Sequence, residues 1–289
     1  MSTDHNSAES GSQSSGSENQ RGHGTLILAL VVAALVLVGG VTAWVANRNS
    51  DDNKTTGTSA TTSAPMPSSD AGASGFAVPE TDRFNRRIDI PNNQWGQPLS
   101  QTVPPRTARD ADWLTAAPAG TREKGGWQKV TGAVVPFSTS DGPTGIRDGL
   151  PTGWAHTPQG CALAAAYIAY EVNARPGDRV IRERALTTSA ADLAKFDADR
   201  AAGKIPDRAP AVVTQWMLAF DAFKIGSWQE DLCVVKLASK TEPDKVGAPH
   251  WLGTSATMVW DGAAWRLRPP TAGNPPQEAV PTLAGWTTW

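Results

Sequence analysis

An apolar run from Thr25 to Ala46, uninterrupted by any charged side chain, constrains this chain more than any other feature. As a helix rising about 1.5 Å per residue it would reach roughly 33 Å, enough to cross a hydrocarbon core of about 30 Å. The run predicts a transmembrane helix over 25–46. A cleaved signal peptide is the competing reading, since Val41 and Ala43 stand at the usual spacing before a cut. Secretory apolar regions are shorter, about 7–15 residues, and follow several basic residues, whereas Arg21 stands alone here. The basic residues near the run are Arg21 before it and Arg48 and Lys54 after it, a bias that points away from an external C-terminal domain. Against that, the Thr/Ser/Ala/Pro stretch from Asp51 to Gly75 has the composition of a spacer that holds a domain off a membrane surface, which favours the N-terminus inside.

The expected organisation follows: 1–24 a disordered cytoplasmic tail, 25–46 the membrane helix, 47–75 a linker, 76–111 an extended arm, 112–270 an extracytoplasmic α+β domain, and 271–289 a Pro-rich tail. Residues 1–24 are rich in Ser, Gly, Asn and Gln with almost nothing apolar, so burial cannot offset the entropy of ordering them. In the arm, Pro79, Pro91, Pro98, Pro104 and Pro105 deny long regular elements. Basic and acidic residues number 26 and 28, so no broad positive field advertises a direct nucleic-acid partner.

Beyond the arm, Trp127 to Phe137 carries the anchors of a short strand or two. Thr157-Pro158 opens the clearest helix, a capping hydroxyl followed by proline at the first helical position, running through an Ala-rich segment to Pro176-Gly177. Asp178 to Ala185 and Ser189 to Ala201 read as two shorter helices. The period then changes: Trp216 to Ile225, Leu232 to Ser239, Trp251 to Trp260 and Ala264 to Arg268 alternate as half-buried strands, with a tight turn at Asp261-Gly262. Helices followed by consecutive hairpins predict an α+β domain, its helices on one face of a curved antiparallel sheet.

Cys161 and Cys233 are the two cysteines. One disulfide, or two unrelated thiols packed as small hydrophobes, both fit. Cys161 shares a helical stripe with Ala164, Ala165, Ile168 and Val172, while Cys233 alternates with Val235 and Leu237 on a strand, so both point toward a shared helix-on-sheet core. Two cysteines without clustered His lack the ligand count zinc needs, and no metal or cofactor is expected.

The order Val135-Pro136-Phe137, Gly142-Pro143, Gly153-Trp154-Ala155-His156-Thr157-Pro158 and Val259-Trp260-Asp261-Gly262-Ala263-Ala264-Trp265-Arg266-Leu267 resembles actinobacterial single-pass membrane proteins often encoded near conjugation or secretion genes. The resemblance covers about Trp127 to Pro270. It implies a cone like that of nuclear transport factor 2, a fold shared with the inner-membrane scaffold subunit of type IV secretion systems. Some cone proteins are enzymes that set an Asp and a Tyr inside the open end of the sheet, where burial tunes proton transfer. The corresponding ligand-binding candidates here are Asp221, in an otherwise apolar strand, with Tyr167 or Tyr170 from the helix; a solvated outer face is the alternative for Asp221.

No Gly-x-Ser-x-Gly elbow, His-Glu-x-x-His, Walker sequence or Gly-x-Gly-x-x-Gly is present, and His5, His23, His156 and His250 form no cluster in sequence. Of the 12 Trp residues, Trp228, Trp286 and Trp289 fit a core least readily and stand either as partner contacts or as a tail tucked onto its own domain. The expected function is a non-enzymatic, membrane-anchored extracytoplasmic scaffold of a conjugation or secretion apparatus, with the membrane, other envelope proteins or further copies of the chain as partners. The alternative is a cell-envelope ligand- or glycan-binding module using the cone cavity.

Overall fold

A capping hydroxyl starts the longest helix. The computed structural model describes residues 73–241, 250–271 and 273–289. Thr157, in extended backbone conformation, caps α1 (Pro158–Ala174) by accepting a 2.9 Å hydrogen bond from the Gly160 amide. The same hydroxyl donates to Asp141 Oδ1 at 2.6 Å, which ties the helix start to the preceding loop. Burial pushes the Asp141 carboxyl up, against the hydroxyls of Ser140 and Thr157 that favour its charge. Gly160 is required by close approach: a methyl there would meet the Ala155 carbonyl oxygen at 2.1 Å. Every residue of α1 is buried, the state expected of a helix apolar nearly all round.

A helix buried on every side has to be covered on every side. One cover is an antiparallel sheet of β7 (Ala222–Trp228), β8 (Leu232–Lys240), β9 (Trp251–Trp260), β10 (Trp265–Arg268), β11 (Gln277–Val280) and β12 (Thr287–Thr288). The order is β10-β9-β8-β7-β12, and β11 shares the outer edge of β9 with β10. Alternation puts Cys233, Val235 and Leu237 of β8 inward, onto α1. The tight turn at Asp261-Gly262 closes the β9–β10 hairpin, with Trp260 opposite Trp265.

The other cover comes from the segment before the helix. β3 (Trp127–Val130) and β4 (Ala133–Pro136) pair through a turn at Thr131 and Gly132, and every residue of β4 is buried. β5 (Gly145–Arg147) and β6 (Leu150–Thr152) form a second hairpin through Asp148 and Gly149. All four turn residues have positive φ, the geometry that suits the twist of a two-residue hairpin turn. The arm contributes a third hairpin, β1 (Glu80–Thr81) with β2 (Arg87–Ile88). It is stitched to the domain by amide pairing: the Gln97 amide donates to Gln128 Oε1 at 2.7 Å, and Gln128 Nε2 returns a bond to the Gln97 carbonyl at 2.8 Å.

These features overturn the expected fold of one transmembrane helix plus a cone of N-terminal helices on a curved sheet. Among the described residues no helix is long and apolar enough to cross a membrane, and strands dominate, with few helices. The run at 25–46 and the whole of 1–72 lie outside the described residues. The expected helical layer fails for a physical reason. Trp127, Val130, Ala133 and Val135 lie on a hairpin that covers α1, so α1 is an interior element. Of the two shorter helices, Ile181–Ala185 is a single π-helical turn, and α2 (Ala190–Ala201), capped by Ser189, buries only Phe196. A further single turn, α3 (Ala211–Thr214), leads toward β7. The segment 271–289, expected to be irregular, supplies β11 and β12.

Candidate functional site

Asp221 immediately precedes β7, and both of its carboxylate oxygens are taken. Arg86 Nη1 donates to Oδ1 at 2.7 Å and Trp251 Nε1 donates to Oδ2 at 2.8 Å. Arg86 is itself held by Asp82 Oδ2 at 2.7 Å and by the Ala219 carbonyl at 2.8 Å. Asp221 thus clasps the arm hairpin to the sheet. Its place in an apolar alternation reflects this charge pairing with a segment 135 residues away in sequence.

Tyr170 stacks on Phe220 at 4.5 Å and donates its hydroxyl to the Leu218 carbonyl at 2.8 Å. Burial pushes its phenol far above the ordinary tyrosine range. Tyr167 packs edge-on to Phe137 at 6.4 Å and tilted on Trp154 at 6.0 Å, away from the Asp221 clasp. The structure therefore sets Tyr170 in the vicinity of Asp221 and puts Tyr167 in a different aromatic group. Both rings are enclosed.

A buried ion pair, which the sequence pattern does not announce, closes the C-terminal end of α1. Glu171 and Arg175, 0% and 3% exposed, pair at 2.7 Å at the end of α1. Thr131 donates to both Glu171 oxygens at 2.9 and 2.8 Å. Arg175 Nη1 reaches the Gly149 carbonyl and Asp178 Oδ2, each at 3.0 Å. The Trp95 ring lies 4.8 Å from the Arg175 guanidinium. Burial raises the Glu171 carboxyl, with Arg175 and Thr131 pulling the other way. Burial also opposes the charge on Arg175, but the carboxylates of Glu171 and Asp178 outweigh it and hold the guanidinium protonated. The cluster ties the helix end to the turns of both hairpins that cover it. Its signal in the sequence is faint but physical: Glu171 is the one charged residue within α1, and Arg175 follows at the spacing of one helical turn.

At the opposite end of α1, His156 stacks on Trp260 at 4.3 Å, with Trp228 and Trp265 around it and Trp113 edge-on to Trp228 at 5.6 Å. The His156 ring also bonds the Glu230 carbonyl. Trp228 is thereby absorbed into an aromatic group. Trp289 is buried too, edge-on to Trp127 at 5.6 Å, with its carbonyl held by Arg122. His156 and His250 are far apart in the chain and join no cluster of metal-ligating side chains among the described residues. An open cleft of about 180 Å³ runs between the sheet and a proline-rich wall, lined by Ala169, Thr254, Thr257, Arg268 and Pro276. Cys161 and Cys233 are both free thiols, fully enclosed in the same apolar core.

A family model described as "Domain of unknown function (DUF8175)" matches residues 89–288. The chain belongs to the DUF8175 family. No curated protein and no solved structure matches it. The DUF8175 match begins at Asp89, whose amide and carbonyl flank β3 and whose carboxylate accepts from the Gly125 amide at 2.7 Å. It ends at Thr288 in β12. The DUF8175 unit therefore takes in most of the arm as well as the helix and sheet, in keeping with an arm whose Ile88 and Ile90 pack in a small cluster with Val134 and Ala219.

Proposed function

We propose that this DUF8175 protein is a non-catalytic assembly or scaffold module of a conjugation or secretion apparatus, working at the cell membrane on its extracytoplasmic side. The observation that carries the reading is the filled interior. α1 is buried along its whole length between the sheet and the β3–β4 cover, and Asp221 and Tyr170 spend their polar atoms on internal partners. A domain whose interior is committed to its own packing does its work through its outer surface. The resemblance of the segment from Trp127 to Pro270 to single-pass membrane proteins often encoded near conjugation or secretion genes supports the choice of apparatus. The spacer-like composition of 51–75 supports the side of the membrane.

The test is chemical crosslinking in intact cells followed by purification of the tagged full chain and mass spectrometry. The expected result is adducts heavier than the chain alone, containing other envelope proteins or further copies of it. Recovery only of the uncrosslinked monomer, at a crosslinker dose that captures a known envelope complex, contradicts the reading and turns attention to the cleft beside Ala169 as a ligand site.

A further inference from the structure

The outer edge of β9 passes from one partner strand to another, and the hand-over leaves a gap. Thr257 pairs with Arg268 at the end of β10, and Thr254 pairs with Gln277 at the start of β11. Between them the Ser255 amide donates to the Pro276 carbonyl at 3.0 Å. In an antiparallel ladder the return bond would run from the amide of residue 276 to the Ser255 carbonyl. Proline has no N–H to give, so that carbonyl lacks its ladder donor. The cleft of about 180 Å³ opens here, between β9 and a wall that includes Pro269, Pro270, Pro275 and Pro276. Its floor is apolar, made by Ala169 of α1 with Leu237, Ala256 and Leu267. Arg268 stands exposed at its rim, and the guanidinium has no carboxylate or other partner among the described residues.

We propose, resting on the scaffold reading, that this cleft binds the C-terminal residue of a partner protein. The apolar side chain of that residue lies on the Ala169 floor, its amide N–H donates to the Ser255 carbonyl, and its terminal carboxylate meets Arg268. Each part of the site selects one part of this occupant. A cavity of about 150 Å³ holds one benzene ring, so the cleft has room for a single apolar side chain. A free guanidinium favours a carboxylate, which it binds through two parallel hydrogen bonds. Ser255 lies two residues from Thr257, the partner of Arg268, a separation of about 6.8 Å along a strand. One residue spans that length with its amide at one end, its carboxylate at the other and a hydrogen bond beyond each. An internal peptide segment has no carboxylate at this position, and a simple aliphatic acid has no N–H for Ser255.

The experiment is saturation-transfer NMR of the hexapeptide Ser-Gly-Ser-Gly-Ala-Leu, with a free C-terminal carboxylate, titrated into the purified full chain. The expected result is saturable binding with the strongest transfer to the leucine methyls. Affinity falls about tenfold or more, the effect of losing a hydrogen bond to a charged group, when the C-terminus is amidated, and it also falls when the last peptide nitrogen is methylated. Arg268→Gln, at an exposed position, removes the preference for carboxylate over amide while thermal unfolding stays unchanged. No saturable binding through millimolar peptide, or equal binding of the carboxylate and amide forms, overturns the proposal. So does 4-methylpentanoate binding as tightly as the peptide, which would make the cleft a site for a small acid. Peptide selectivity reads the cleft and crosslinking in cells reads assembly, so adducts that form without peptide binding remove the cleft assignment alone.

Discussion

Replacing Glu171 with alanine lowers the unfolding free energy by about 3–5 kcal/mol, the usual cost of removing one partner from a buried ion pair. The reason is what remains. Arg175 keeps its charge at any accessible pH, and without Glu171 it is left with one partly exposed carboxylate, Asp178, the Gly149 carbonyl and the Trp95 ring. Thr131 loses its acceptor as well, at a turn position with φ 48°, where a β-branched residue is strained. The complementary Arg175→Ala separates charge loss from packing loss through pH. With the guanidinium gone, the Glu171 carboxyl, already raised by burial, rises further. The folded state then takes up a proton ahead of the unfolded chain. Its contribution to stability is full below the ordinary carboxyl range, near pH 4, and is lost as pH rises through the folded value. Arg175→Ala therefore costs least at about pH 4 and more at pH 7, while the cost of Glu171→Ala depends far less on pH. Denaturant unfolding of both variants at the two pH values measures this directly.

The second large effect is expected at Trp265. Trp265→Ala costs about 4 kcal/mol, within the range for removing a large aromatic side chain from a core, and lowers the thermal midpoint by roughly 10 °C. The side chain is 2% exposed and meets Trp228 at 5.6 Å, Trp260 at 5.2 Å and His156 at 5.5 Å. Its indole N–H donates to the Ala155 carbonyl at 3.0 Å. That is the carbonyl against which Gly160 packs, so one ring joins the β9–β10 hairpin to the loop that enters α1. Thermal unfolding followed by near-ultraviolet circular dichroism checks both the midpoint and the loss of the aromatic group. A cost below about 1 kcal/mol would mean that the group is peripheral, as expected for a surface position.

What the sequence made legible was local. The capping signal Thr157-Pro158 marks the start of α1, the Asp261-Gly262 turn marks the last hairpin, and the alternation of Cys233, Val235 and Leu237 gives β8 its inward face. Each is set by neighbouring residues. What stayed hidden depends on contacts between distant segments. The apolar alternation around Asp221 gives no hint that Arg86, far back in the arm, neutralises it. The prolines of the arm and of 271–289 read as irregular chain, yet both segments supply strands and cover. Trp289, beside the end of β12, gains its burial from Phe223, Trp127 and Arg122. The layer order was misread because α1 carries apolar residues on all sides, and periodicity alone does not say what covers each of them. The ionic cluster at Glu171 was missed because a single charge in an alanine-rich helix looks like a solvated position until both hairpin turns are seen to converge on it.

The central claim is that α1 is the core of the domain, buried at every residue between the sheet and the β3–β4 hairpin. Native-state hydrogen exchange of the full chain tests it most directly. If α1 is the core, amides from Ala162 to Val172 exchange only through global unfolding, with the same free energy as those of β8. Exchange of the α1 amides several orders of magnitude faster than β8, under the same conditions, would mean that the helix opens independently of the sheet and is not the core, and would contradict the account.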